Sequence, residues 1–139
     1  MDDEVRDAID DVAIRRLHAA YADTVTRRVW PEFIDQFVPD ALVRIDTVTN
    51  PAIELVGPVA VGNFIGSALE RFEFFEFTIL NAHIALCTGG DVDAAQGRLY
   101  ICELRQEAGT HEWTNAYGVY RDDYRRVEGR WLFARRSYQ

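Results

Sequence analysis

Cysteine is scarce in this chain, with Cys87 and Cys102 the only two, so a disulfide framework is excluded and no C-x-x-C pair exists. Each cysteine falls inside an apolar strand pattern, and both are expected to be reduced core residues. Histidine is nearly as scarce. His18, His83 and His111 stand on three different segments, and without an i, i+4 spacing or paired cysteines they specify no metal site. No run approaches the roughly 20 apolar residues that span a bilayer. The opening MDDEVRDAIDD also lacks the basic-then-apolar order of a signal peptide, so a soluble cytoplasmic protein with no membrane partner is expected. Positive charge is in deficit, the formal net charge being −8. Nucleic-acid affinity comes from Lys and Arg displacing counterions, so no nucleic-acid partner is expected. Finally, there is no G-x-G-x-x-G, no P-loop and no G-x-S-x-G elbow; dinucleotide or phosphate cofactors and a Ser or Cys triad have no anchor, and no cofactor is expected.

What the sequence does contain is enough for one globular domain. At 139 residues with 48% hydrophobic side chains, folding buries roughly two-thirds of the surface of the unfolded chain, and the composition lies far from that of disorder. Between Asp7 and Thr26 apolar residues recur at Ile9, Val12, Ala13, Leu17, Ala20, Tyr21 and Thr24/Val25, the spacing of an amphipathic helix. Asp2, Asp3 and Glu4 precede it, as the helix dipole prefers. Pro31 starts a second, short helix over 30–37, followed by a strand over 41–48 and a short partner at 53–56. Gly57-Pro58 opens a third helix, with Val61, Phe64/Ile65, Ala68/Leu69 and Phe72 in helical spacing up to Phe74.

After Phe74 the period changes to two. Residues 75–87, 93–105, 111–126 and 130–137 read as four long strands, separated by Gly89-Gly90-Asp91, Glu107-Ala108-Gly109 and Glu128-Gly129. Short links make the sheet antiparallel, and helices first with a curved meander after them predict an α+β domain. A strongly bent sheet wrapped on three helices forms a cone around an apolar cavity.

Several side chains are candidates for that cavity. On Ala95–Glu103, Gly97, Leu99, Ile101 and Glu103 share one face, so a carboxylate ends an apolar stripe. Glu103 is either a desolvated general acid or base, or a strand-end residue paired with Arg105 or another arginine. Tyr21 shares a helix face with Leu17 and Val25, where a phenol serves as donor or proton shuttle, or simply fills the core. His18 lies one turn away. In FTILNAHIAL (77–86) Asn81 and His83 have equal parity and face one way, as ligand-orienting residues or as structural ones. Thr114, Ala116, Gly118, Tyr120 and Asp122 form the small-residue side of the strand from His111. If that side is concave, Thr114 and Tyr120 line the cavity, and Trp113 and Tyr117 lie outside as an interface. Arg121, Arg125, Arg126, Arg130, Arg135 and Arg136 are expected to be a solvated face paired with local acids.

The order of elements, with IRRLHAAYAD (14–23), then Trp30, Phe37 and Pro39-Asp40-Ala41, then YGVYRDDY (117–124) and EGRWLFA (128–134), resembles the SnoaL-like group of the nuclear transport factor 2-like superfamily over nearly the whole chain, 1–139. The resemblance implies a cone-shaped α+β barrel and a small hydrophobic ring-containing ligand of polyketide, steroid or terpenoid type; the outward Trp113 and Tyr117, which a monomer would expose, lead to the expectation of a homodimer or other homo-oligomer. The branch of scytalone dehydratase and bile-acid dehydratase is the nearest. It implies a cofactor-free lyase or isomerase with Tyr21 as the helix tyrosine and Glu103 as the acidic residue. Phe77 falls where that branch has its histidine base, and Thr26 falls where it has the partner aspartate, so the usual dyad is absent and Phe77 becomes a ligand-contacting residue. A non-catalytic module of the same fold is the alternative.

Overall fold

The computed structural model describes residues 2–139. Helix α1 spans Asp3–Arg27; the Asp2 carboxylate caps it by accepting from the Glu4 and Val5 amides at 2.7 and 3.3 Å. Arg28, in the left-handed region, closes it through its amide to the Thr24 and Val25 carbonyls. Asp10, Ile14, Leu17, His18, Tyr21, Thr24 and Val25 form the buried stripe; Leu17, Tyr21, Thr24 and Val25 are in it as the spacing predicts, whereas Ile9, Val12 and Ala20 are exposed. The expected second, short helix is a 3-10 helix, Trp30–Asp35. Strands β1 (Phe37–Ile45) and β2 (Ile53–Val56) follow, then α2 (Pro58–Leu69), β3 (Phe72–Leu86), β4 (Ala94–Glu107), β5 (Trp113–Val127) and β6 (Arg130–Tyr138). The third helix stops five residues before its expected end because Phe72 already opens β3 opposite Glu107. Its inward-facing ring continues the helical spacing by position alone.

The strands form one sheet in the order β2-β1-β6-β5-β4-β3. Every pairing is antiparallel except β1 with β6, which run parallel. With α1 and α2 against the concave face, this is the expected α+β cone. Its core joins Ile14, Leu17 and Tyr21 of α1 to Phe33, Phe37, Leu99, Ile101, Tyr124 and Phe133. Among the described residues no helix is long and apolar enough to cross a membrane.

Two of the sheet's four register shifts decide where the candidate site residues face. In β3, Ile79 pairs with Ile101 but Asn81 pairs with Tyr100, so Leu80 is an extra residue. In β6, Phe133 pairs with Tyr124 but Arg135 pairs with Asp123, so Ala134 is extra. An added residue reverses the faces of everything beyond it. Ala82, Ile84 and Leu86 therefore turn to the core, whereas Asn81 and His83 turn outward and are exposed. Beyond Ala134, Arg136 turns inward and is 1% exposed. The arginine cluster is thus not a uniform solvated face. Cys102 is buried, but Cys87 is exposed at the left-handed turn after β3 and is not a core residue.

Candidate functional site

Between the concave face and the helices lies a cavity of about 560 Å³. Val25, Phe37, Val43, Ile45, Val61, Phe64, Ile65, Leu69, Phe72, Phe75 and Phe77 make its wall apolar, and Asn50, Ser67, Ala68 and Arg71, all exposed, mark its open side. Its polar groups are few: Tyr21, Glu103, Arg105, Tyr120, Arg136 and Tyr138. An apolar pocket with a handful of converging polar groups is the usual form of a small-molecule site.

Glu103 is held between Phe77 on β3 and Ala116 on β5. Its side chain keeps 21% of its exposure, and Arg105 Nη1 stands 3.7 Å from Oε1. Burial pushes its carboxyl above the usual range, and the Arg105 guanidinium opposes this only in part. Arg105 is itself anchored, Nε donating to Thr114 Oγ1 at 3.1 Å. Thr114 is therefore on the concave side, as expected, but positions Arg105 and does not line the cavity. Ala116 does line it. The space over Gly118, by contrast, is filled by the Tyr138 ring, which a Cβ at 118 would overlap.

Tyr21 stacks on Phe33 with centroids 5.2 Å apart and meets Phe77 edge-on at 5.4 Å. Phe77 also packs on Tyr120 at 5.9 Å. Burial raises both phenols above their usual range, so both stay protonated and able to donate. The amide of Phe77 donates to Thr26 Oγ1 at 3.3 Å. The two positions that the family resemblance sets aside for a histidine and its aspartate are thus neighbours, and neither carries a titratable group.

Sequence reasoning missed the strongest charge in the site. The Arg136 guanidinium carbon lies 3.9 Å from the centroid of Tyr120, 4.2 Å from Phe133 and 4.4 Å from Tyr21, each within cation–π range. Nε donates to Asp122 Oδ1 at 2.7 Å and Nη2 to Oδ2 at 3.3 Å, while the buried Nη1 has no partner. Asp122 shares the predicted small-residue side of β5, a signal that a carboxylate enters the interior. Nothing in the sequence distinguishes Arg136 from Arg135 as its partner.

Asp122 Oδ2 also accepts from Tyr124 Oη at 3.4 Å, and that phenol meets His18 Nε2. The other ring nitrogen of His18, Nδ1, is buried without a partner. His18 therefore braces Tyr124 behind the cavity wall. Burial first, then Arg136 and Arg15, lower its pKa from 6.5 to about 2. The unfolded chain binds this proton below pH 6.5 and the folded chain does not, so the stabilising contribution is complete above pH 6.5 and declines as pH falls. The expected loss is about 1 kcal/mol per pH unit between pH 6 and 4. His18→Phe should flatten that slope in urea unfolding series, and an unchanged slope would assign it to other groups.

The structure thus brings Tyr21, Glu103, Phe77 and Tyr120 together around one cavity, sets His18 and Thr114 one layer behind it, and places Asn81 and His83 on the outer face.

The family model described as a SnoaL-like domain matches residues 6–137. Among solved structures, a candidate scytalone dehydratase from Novosphingobium aromaticivorans aligns with a TM-score of 0.82 at 20% identity, over 96% of this chain and 85% of the other. The hexachlorocyclohexane dehydrochlorinase LinA-type3 from Novosphingobium barchaimii aligns with a TM-score of 0.83 at 16% identity, over 98% and 89%. An NTF2-like protein with a cystatin-like fold from Novosphingobium aromaticivorans gives 0.76 at 21% identity, over 97% and 84%. These likenesses concern the fold. No curated protein matches the chain.

Proposed function

Given that the chain belongs to the SnoaL-like domain family, we propose that it is a cofactor-free acid–base enzyme, a lyase or isomerase, acting on a small ring-containing hydrophobic molecule with a carbonyl. The observation that carries this reading is the Glu103 carboxyl, desolvated at an apolar cavity that also holds the phenols of Tyr21 and Tyr120. In the proposed step Glu103 takes a proton from the carbon beside the carbonyl, and the electron pair moves onto the carbonyl oxygen. The phenols of Tyr21 and Tyr120 donate to the enolate that forms. Glu103 then returns the proton to another carbon in an isomerisation, or assists departure of a leaving group in an elimination. Two of the structural relatives, a candidate scytalone dehydratase and a hexachlorocyclohexane dehydrochlorinase, are named for eliminations as well.

A panel of cyclic and fused-ring ketones in D2O, followed by proton NMR, tests the reading. Deuterium entering the α-position faster with protein than without supports it. The second reading, a binding module without chemistry, is favoured by Phe77 at the position of the histidine base; ligands that bind with no exchange would establish it instead.

The same proposal includes self-association. On the convex face Phe74, Trp113 and Tyr117 are 41%, 61% and 71% exposed, and the Phe74 and Trp113 rings pack at 5.4 Å. A patch of this kind marks an interface, and a two-fold pairing of copies covers it on both. Sedimentation velocity should find a dimer that Trp113→Lys/Tyr117→Lys converts to monomer; a wild-type monomer at all working concentrations contradicts this.

A further inference from the structure

The opposite end of the convex face carries arginines without acidic partners. The register sets His83 beside Arg98, Arg98 beside Arg121, Arg121 beside Ser137 and Ser137 beside Arg44, one row crossing five strands. Arg135 stands in the next row, opposite Asp123. His83, Arg98, Arg121, Asp123 and Arg135 border a common groove of about 420 Å³. Among the described residues the side chains of Arg98, Arg121 and Arg135 form no ion pair and no hydrogen bond, in contrast to Arg126 and Arg136, each of which holds a carboxylate. Asp123 accepts instead from Gln96 Nε2 at 3.1 Å.

This placement is costly. Arg98 and Arg121 are direct cross-strand neighbours on strands about 4.8 Å apart, and like charges in that position destabilise a sheet. In a chain of net charge −8 carboxylates are plentiful, yet three guanidiniums share this groove with one. An anion between them turns repulsion into attraction, and planar guanidinium forks match the oxygens of phosphate. The overall negative charge repels long polyanions such as nucleic acid, whereas a small ligand feels mainly the local cations.

We propose that this groove binds a small diphosphate-bearing molecule, with Arg98 and Arg121 holding one phosphate and Arg135 the other. The site lies across the sheet from the cavity, so it takes a ligand distinct from the cavity's and does not depend on Glu103.

The test is calorimetric and thermal titration of the wild-type protein with inorganic pyrophosphate and, separately, with ADP, at ionic strength held constant with chloride. Saturable binding with a rise of several degrees in the unfolding midpoint is expected. Equal affinities assign recognition to the phosphates alone, and ADP tighter by roughly ten-fold or more assigns a nucleoside diphosphate. Arg98→Gln/Arg121→Gln should fold with an unchanged or higher ligand-free midpoint, because repulsion is relieved, and should bind at least about ten-fold more weakly. No response to either compound at millimolar concentration, or an equal response in the variant, overturns the proposal.

Discussion

Asp122→Ala is expected to lower the unfolding free energy by about 3–5 kcal/mol, the cost of leaving a buried charge without its partner. The magnitude follows from how completely the pair is enclosed: the side chains of Arg136 and Asp122 are 1% and 0% exposed. Removing the carboxylate leaves the guanidinium against three aromatic rings, whose cation–π attraction offsets only part of the lost solvation. Replacing both partners with apolar side chains, as in Asp122→Leu/Arg136→Met, should recover most of the loss, because no charge is then buried. Urea titration of the three proteins reads the comparison. A double variant as unstable as the single one would place the cost in packing.

Glu103→Gln is expected to lower the α-proton exchange rate by about 10²- to 10⁴-fold, the usual contribution of a positioned general base. Glutamine keeps the shape and cannot accept the proton, so ligand affinity should change little while exchange collapses. The pH dependence carries a second signature. Because burial raises the Glu103 carboxyl, the acid limb of the wild-type profile should lie above the ordinary carboxylate range of about 4.3, and it should vanish in the variant. Exchange that survives Glu103→Gln would move the base to another residue.

How much of this was legible varies by element. Leu17, Tyr21, Thr24 and Val25 of the helical stripe and the inward row Leu99, Ile101, Glu103 could be read directly, because each set lies within one regular element and periodicity assigns its faces. Tyr120 and Asp122 were legible for the same reason, once small residues marked the concave side of β5. Asn81 and His83 share a face as parity requires, but Leu80 turns that face outward, and one extra residue in a ladder leaves no mark in a pattern of apolar and polar side chains. Arg136 was hidden by the same device at Ala134.

The amino-acid order by itself determined the α+β class and the curved sheet over its helices, and it made Tyr21, Glu103, Phe77 and Tyr120 candidates for one cavity. Only the tertiary structure decided that Arg136 enters the interior to meet Asp122, that His83 leaves it, and that unpartnered arginines gather across the strands. Local periodicity fixes the direction of a side chain within its own element, whereas register between distant strands is set by the packing of the whole sheet.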